Sequence, residues 1–516
     1  MFCKVSGAAY FGISGQIIQV EADVSDGLPV FAMIGELSGE VREAAPRVRT
    51  ALKNCGYRIP AKRMTVNLAP AGIKKYGTGF DLPIAVAILT CLGYISGWRI
   101  KDIVFIGELS LNGDILPVKG ILPMVEAAAE GHKRLCIVPE GNIREASFIK
   151  DIPIAAARHL KGVLGILYKE MEEIRTDTAN QLKKHKNDMQ DKPVYPDFSD
   201  IHGQEILKRA ALISAAGWHH LLLIGPPGAG KTMAAKRIPG ILPKLTSQEQ
   251  MELTKIYSVA GLLKDDAGPV IYRPFRSPHH TISDKALVGG MSIPRPGEIS
   301  LAHRSVLFLD ELASFKRSTL EAMRETLDGK EIVINRLWGG CRFPAEVLLV
   351  AAMNPCPCGC YPDRQRCTCT PEQIRRYWGK ISLPLLDRID ICVQVERVSY
   401  ENAVKEPDEN NHTSDDMRRR ASGALEIQKA RFRKENITYN GQMEGRTVNK
   451  YCILDREGQK LMEQAYERLH LTMRSYEKVL KVARTIADLE NSRAIKPGHL
   501  AEALCYRSIH ETTREV

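Results

Sequence analysis

Gly225-Pro-Pro-Gly-Ala-Gly-Lys-Thr232 sets three glycines, a lysine and a hydroxyl in the spacing GxxxxGK[ST], directly after the apolar run Leu221 to Ile224. Glycines in such a loop let backbone N–H groups turn inward as an anion nest, which the next helix N-terminus reinforces. Gly225, Pro226, Pro227, Gly228, Ala229, Gly230, Lys231 and Thr232 are therefore candidate contacts for the phosphates of ATP. Lys231 would reach the β- and γ-phosphates, and Thr232 would ligate Mg²⁺. Further along, Val306-Leu-Phe-Leu-Asp-Glu311 is an apolar strand closing on two carboxylates. Strand alternation separates them, so Asp310 can hold the Mg²⁺ shell while Glu311 polarises the attacking water. An acidic pair closing a strand is ordinarily just a loop start; the phosphate loop upstream gives this one a role. A third strand, Val347 to Met353, ends at Asn354, whose side chain could orient the same water.

A second constellation is sulfur. Thirteen cysteines is an odd count, and five crowd between Cys356 and Cys369. Cys356-Pro-Cys358 and Cys367-Thr-Cys369 flank a short loop, with Cys360 as an extra thiol. Four thiolates in two close pairs can close a tetrahedral structural Zn²⁺ site with Cys356, Cys358, Cys367 and Cys369 as ligands. The pairs are C-x-C, tighter than the usual C-x₂-C, and free thiols in a loop are the alternative.

Two further segments could touch a substrate. Glu331 to Phe343 alternates around a Trp-Gly-Gly turn and reads as a hairpin. Lys330, Arg336 and Arg342 there offer cations to phosphates, and Trp338 offers a stacking face. Arg273-Pro-Phe-Arg-Ser-Pro-His-His280 is basic and irregular. An ordinary solvated hairpin and loop would read the same way.

Positioning these groups takes a large scaffold, and 516 residues allow about three domains. Composition is ordinary, with 44% hydrophobic and 26% charged residues, which excludes a disordered, collagenous or disulfide-dense chain. Lys plus Arg exceeds Asp plus Glu, 72 against 61, a net +11 compatible with a polyanion partner. The charge-free run Leu82 to Trp98 is interrupted by Pro83, Gly93 and Gly97 and reads as a buried core helix, with no membrane partner. The start of the chain is too rich in Gly and Ser for a signal-peptide core, and the scattered single cysteines fit a reducing, cytoplasmic setting.

Along the chain, 1–168 alternates strands (Gln16–Val20, Arg63–Leu68) with helices (Ser38–Asn54, Ile121–Gly131) as an α+β domain. A polar linker, helical at its start, covers 169–196. The phosphate-loop unit occupies 197–396, with Leu221–Ile224 and Val306–Leu309 as buried parallel strands. A polar loop spans 397–416, and a helical part spans 417–516, where Tyr476–Leu489 lines one helix side with apolar residues.

GPPGAGKT, VLFLDE, AAMNP and LLDRID in this order resemble an AAA+ ATPase core. The wider text, with NLAPAGIKK, FDLPIAVAI, PFRSPHH, LVGGMSIPRPGEISLAH, AAMNPCPCGC, PLLDRID and KVARTIADL, resembles the Mg-chelatase-like ComM/YifB family over nearly the whole chain. The fold class implied is α/β: a P-loop AAA+ core with a parallel sheet, an N-terminal Lon-protease-like (S5-like) α+β domain and a helical C-terminal lid. The resemblance implies a homo-oligomeric ring, usually a hexamer, with sites shared between neighbours. In that frame Arg388 resembles the arginine finger given to the next subunit; without it, an ion pair with Asp387 or Asp390 would be favoured. Arg474 resembles the second sensor, with Arg468 and Arg484 close by in sequence, and Ile201 to Gln204 resembles the adenine-contacting stretch. The cysteine cluster would brace the subunit interface.

The N-terminal domain resembles the proteolytic domain of Lon at Gly79 to Ala85 and at Gly107 to Val118. Where Lon has its nucleophile this chain has Asp81, and where Lon has its lysine it has Leu122, with Lys119 out of register. Without a hydroxyl and an activating base, acyl transfer has no chemistry to run. The family's best-known members resemble DNA translocases that drive branch migration in recombination and natural transformation. A DNA-dependent helicase or translocase acting on branched or single-stranded DNA is the function implied. The alternatives are a Mg-chelatase-type metal-insertion motor and a nucleotide-switched assembly scaffold.

Overall fold

The computed structural model describes residues 1–184, 194–263, 268–290, 294–336, 339–397 and 413–512. The N-terminal part is a mixed seven-stranded sheet ordered Phe31–Ile34, Arg63–Ala69, Ser14–Ser25, Phe2–Phe11, Ile103–Phe105, Leu135–Pro139, Ile154–Ala157. Phe2–Phe11 and Ser14–Ser25 form a long antiparallel hairpin, and the last three strands run parallel. Neighbouring residues of one strand enter different cores: Ile103 and Phe105 on one face, Val104 on the other. Helices cover both faces, which is why these strands read as unbroken apolar runs.

Two helical expectations need correction. The stretch from Ser38 to Asn54 is two helices, Gly39–Arg42 and Ala44–Asn54. Pro46 has no N–H to bond the carbonyl four residues back, so the chain breaks at Glu43. The apolar run from Leu82 is helical only to Cys91, inside the buried helix Asp81–Cys91. Gly93 at φ +81° ends it, its N–H reaching Thr90 O at 3.0 Å and that of Tyr94 reaching Leu89 O at 2.9 Å.

A polar helix, Met171–Lys184, leads toward the second unit. There a five-stranded parallel sheet is ordered Phe275–Arg276, Val306–Leu309, Leu348–Met353, Leu221–Ile224, Ile391–Gln394. Leu221, Leu223, Val306, Phe308 and Val350 face one core, and Leu222, Ile224, Leu307, Leu309 and Leu349 face the other. The first core continues into the C-terminal helices through Val482, Ala483 and Ile486, so sheet and lid share one apolar interior. The helical part opens at Ser414, ahead of 417, because Thr413 caps it: its side chain accepts from Asp416 N. No helix among the described residues is long and apolar enough to cross a membrane.

The segment 331–344 is an antiparallel hairpin, Glu331–Arg336 against Gly339–Pro344. Its register corrects the expected Trp-Gly-Gly turn. Gly339 pairs with Arg336 and Gly340 with Asn335, so both glycines belong to the strand. Trp338 lies outside the described residues.

Candidate phosphate site and cysteine cluster

Parallel strands present their C-terminal ends on one edge, and there the sheet gathers the predicted groups. The loop after Leu221–Ile224 turns through Gly228 (φ +78°) and Gly230 (φ +88°), and a Cβ at either would meet nothing within 4 Å. The backbone is thus in the left-handed region and borders open space, the geometry of a loop that cradles an anion. Lys231 is mostly buried and points back into the loop, donating to Gly225 O at 2.5 Å, Pro226 O at 3.0 Å and Asn354 Oδ1 at 3.1 Å. Burial lowers its pKa, opposed by the charge of Asp310.

Thr232 Oγ1 donates to Asp310 Oδ2 at 2.8 Å, and Asp310 Oδ1 accepts from Glu311 N at 3.0 Å. Two hard oxygens lie side by side, the donor type that Mg²⁺ selects. Glu311 sits at φ +51°, a left-handed conformation unusual away from glycine, with its carboxylate 63% exposed. Pro227 to Thr232, Asp310, Glu311 and Asn354 line one cleft of about 590 Å³. The structure therefore brings the three strand ends together from positions up to 123 residues apart.

Tyr377 and Pro357, which the sequence did not single out, line the cleft from the cysteine side. Beside it, His280 Nδ1 lies 3.7 Å from Glu311 Oε2. His280 follows the edge strand Phe275–Arg276, whose parallel neighbour is Val306–Leu309; only that pairing carries the signal. The basic segment before it is committed internally: Arg273 is buried and donates to Pro243 O at 2.6 Å, and Arg276 grips Glu298 through two bonds of 2.7 Å. Two of the arginines expected as candidates for substrate contact are thus taken up inside the domain.

Ile201 is a buried core residue and is not in the cleft. Gln204 donates from Nε2 to Glu396 O at 2.6 Å, while the neighbouring Val395 carbonyl backs Gly225. These two therefore lie at the flank of the phosphate loop, outside the cleft lining.

Arg388 and Arg474 are not at this cleft either. They line a second cavity of about 500 Å³ between sheet and lid. Arg388 pairs with Asp328, with neither of the nearer aspartates as partner, and Arg474 approaches the same carboxylate. Of the competing arginines, Arg484 is buried against Asp488 and the carbonyls of Ser492 and Arg493. Lys330 lines the second cavity at the hairpin base, and Arg342 stands 73% exposed with Glu331 3.6 Å away. The side chain of Arg336 lies outside the described residues.

The thiols of Cys356, Cys358, Cys367 and Cys369 all lie within 4.8 Å of one another. Three of their separations are 3.3, 3.6 and 3.8 Å. A tetrahedron with Zn–S of about 2.3 Å has S···S edges of about 3.8 Å, so the cluster fits a zinc ion. The backbone N–H of Cys360 lowers the Cys358 thiol to about 6, while burial raises those of Cys367 and Cys369. Cys360 itself points elsewhere, to Cys358 O at 3.7 Å. The cluster abuts the phosphate loop: a Cβ on Gly359, at φ +79°, would lie 2.6 Å from Pro227 Cδ. Trp378 Nε1 donates to Pro355 O at 3.0 Å, closing the other side.

In the N-terminal domain Asp81 is fully buried and gripped by Arg47 at 2.9 and 3.0 Å, with Leu109 N donating at 3.1 Å. Burial nevertheless raises its carboxyl to about 6. Leu122 is buried apolar core.

Three family models match. That described as magnesium chelatase, subunit ChlI, covers 197–403; subunit ChlI of Mg-chelatase covers 20–142; the ChlI C-terminal model covers 411–507. The chain is 39% identical over 511 residues to competence protein ComM of Haemophilus influenzae, spanning 98% of this chain and 97% of that one. It is 39% identical over 503 residues to the uncharacterised protein YifB of Salmonella typhimurium, spanning 97% and 96%. A Lon protease of Trichlorobacter lovleyi is 24% identical over 177 residues, 33% of this chain and 21% of that protein.

Proposed function

The chain belongs to the Mg-chelatase-like ComM/YifB family of AAA+ proteins, and from that premise we propose that it is an ATP-hydrolysing ring motor that moves DNA. The observation that carries the hydrolysis is the convergence of Lys231, Thr232, Asp310, Glu311 and Asn354 on one cleft at the sheet edge. Lys231 trades its carbonyl partners for the β- and γ-phosphate oxygens. Thr232 and Asp310 would hold Mg²⁺, which would neutralise phosphate charge. Glu311 accepts the proton of the water that attacks the γ-phosphorus as the bond to the β-phosphate oxygen breaks. Asn354, set by Lys231, orients that water.

Arg388 and Arg474 serve the neighbouring subunit's nucleotide, which is supported by their lining a second cavity and not the cleft of their own phosphate loop. Head-to-tail contacts of this kind close into rings; six subunits is the family's usual number. The four thiols would hold a structural Zn²⁺, which would support the phosphate loop through Gly359 and Pro227. The N-terminal domain acts as a non-proteolytic scaffold.

DNA is the substrate favoured by the +11 charge, the exposed Arg342 edge of the hairpin and the ComM relative, whose name is that of a competence protein. The test is ATPase and strand-exchange activity of the purified chain with single-stranded, duplex and four-way-junction DNA. Stimulation by at least one DNA, falling steeply with salt, is expected. Reversing the hairpin charges (Arg336→Glu with Arg342→Glu) should bring the stimulated rate down toward the basal rate. No stimulation and salt-independent binding would refute the DNA reading and favour a chelatase-type motor or a scaffold.

A further inference from the structure

Arg388 and Arg474 come from separate elements and meet on one carboxylate. Asp328 stands on the last turn of the helix Arg317–Gly329. Arg388 follows the short helix Leu383–Leu386, and Arg474 opens the lid helix Met473–Leu489. Arg388 donates from Nε to Asp328 Oδ1 at 2.7 Å and from Nη2 to Oδ2, while its Nη1 donates to Pro384 O at 2.6 Å. Arg474 Nη2 lies 3.7 Å from the same Oδ1.

The fixture is rigid on one side and open on the other. Arg388 is 8% exposed, yet the side chains of Asp328 and Arg474 are 48% and 51% exposed. One helical turn beyond Arg474, Lys478 pairs with buried Asp390 at 3.1 Å. Further along, Lys481 donates to the carbonyls of Gly441 and Met443 at 3.0 and 3.1 Å. The lid helix is thereby clamped at the point where Arg474 leaves it. Partial burial pushes the Asp328 carboxyl up, but the hydrogen bond and charge of Arg388 and the charge of Arg474 outweigh it, so the group is an anion at neutral pH.

Half-exposed ion pairs are common; this one is set apart because one carboxylate joins arginines from two elements at a cavity wall. Here the most buried member is held, and the two others face the cavity. Two guanidiniums side by side repel unless an anion lies between them. A carboxylate matched to the guanidinium fork offsets that repulsion and fixes both side chains in advance of the ligand.

We propose that Asp328 is the positioning residue that holds Arg388 and Arg474 as one unit, presented to the triphosphate bound by the adjoining subunit. The inference rests on the shared-site ring proposed above. Asp328 touches no nucleotide; it acts through the two arginines, and its effect is felt in the neighbour's site.

The experiment uses the full chain and five variants: Asp328→Asn, Asp328→Glu, Arg388→Ala, Lys231→Ala and the double Asp328→Asn/Arg388→Ala. Asp328→Asn should lower kcat about 10- to 100-fold, with KM for ATP and affinity for a fluorescent ATP analogue within about twofold. Asp328→Glu, which keeps the anion, should lose less. The double variant Asp328→Asn/Arg388→Ala should be no slower than Arg388→Ala alone, since both remove one function. Mixing Asp328→Asn with Lys231→Ala subunits should raise hydrolysis above either parent, because the second supplies intact arginines to the first. A folding lesion would stay in its own subunit and show no recovery, which would overturn the proposal, as would wild-type kcat in Asp328→Asn. Arg388→Ala mixed with Lys231→Ala is the control. No recovery there refutes the shared site itself, whereas recovery there and none with Asp328→Asn refutes this inference alone.

Discussion

Replacing Cys356 by serine tests the zinc reading and its bearing on the nucleotide together. The four thiols lie within 4.8 Å, at separations matching the edges of a zinc–sulfur tetrahedron. Structural zinc sites of this kind contribute about 10–16 kcal/mol of apparent binding at neutral pH, a Kd on the order of 10⁻⁷ to 10⁻¹² M. Zinc should therefore survive purification without chelators at about one ion per chain, measured by plasma mass spectrometry. Thiol titration should agree: Cys505 is the exposed cysteine, and the four clustered thiols should react only after a strong chelator is added. Cys356→Ser should purify nearly metal-free. Because Gly359 is wedged against Pro227, the same change should raise KM for ATP severalfold while the protein still binds DNA. Wild-type protein with far less than one zinc per chain, and four clustered thiols reacting as fast as Cys505, would refute the metal. Full zinc with unchanged KM in the metal-free variant would refute only the bracing.

Lys231→Ala should weaken nucleotide binding, since the β- and γ-phosphates lose their cation, whereas Glu311→Gln should bind normally and hydrolyse about 10²–10⁴-fold more slowly; equal turnover by wild type and Glu311→Gln would sink the assignment. A pH effect should come from Glu145, whose carboxyl burial raises from 4.5 to about 7 and whose Oε1 accepts from Leu122 N at 3.3 Å. The folded chain then holds a proton between those values that the unfolded chain releases. Stability from this group is full below the lower value and is lost as pH rises through 7, by about 3 kcal/mol. Glu145→Gln should raise the urea midpoint more at pH 8 than at pH 5, and an equal change at both would refute the sign.

Local chemistry made the nucleotide cleft legible before the fold was known. The phosphate loop is contiguous, and parallel strands buried on both faces write themselves as apolar runs that end where the sheet edge is. Gly225 to Thr232, Asp310, Glu311 and Asn354 could therefore be placed on one edge from strand ends alone. What sequence could not carry was pairing at a distance. Asp328 lies 60 residues before Arg388 with no motif around it, so the aspartates nearest in the chain looked like better partners. His280 was readable as basic, but its approach to Glu311 follows from which strand lies at the sheet edge. The helix broken at Glu43 and the one stopped at Gly93 were misread for another reason. Apolar periodicity outweighed Pro46 and Gly93, although the missing N–H and the left-handed φ decide the local backbone.

The contact between the N-terminal domain and the hairpin was also invisible in sequence, and it gives that domain a mechanical place. The turn after Phe2–Phe11 passes through Gly12 at φ +64°, where a Cβ would lie 2.8 Å from Cys341 Sγ and 3.0 Å from Arg342 O. Tyr10, Phe11 and Ile13 pack onto the core that holds Ile332, Cys341 and Phe343 from the inward face of the hairpin. A second tie joins the domains where Gly120 N donates to Ser258 O at 3.1 Å and Lys255 pairs with Glu126. A lone two-stranded hairpin is marginal in water. This one has its inward face covered by apolar side chains and its Arg342 face left to solvent. The helix that ends beside Asp328 leads through Lys330 into the same hairpin, and Ala345 N closes its base on Lys330 O at 2.8 Å. The exposed Arg342 face, the covered inner face and the carboxylate that gathers two arginines are thus parts of one continuous stretch of chain, from 317 to 345.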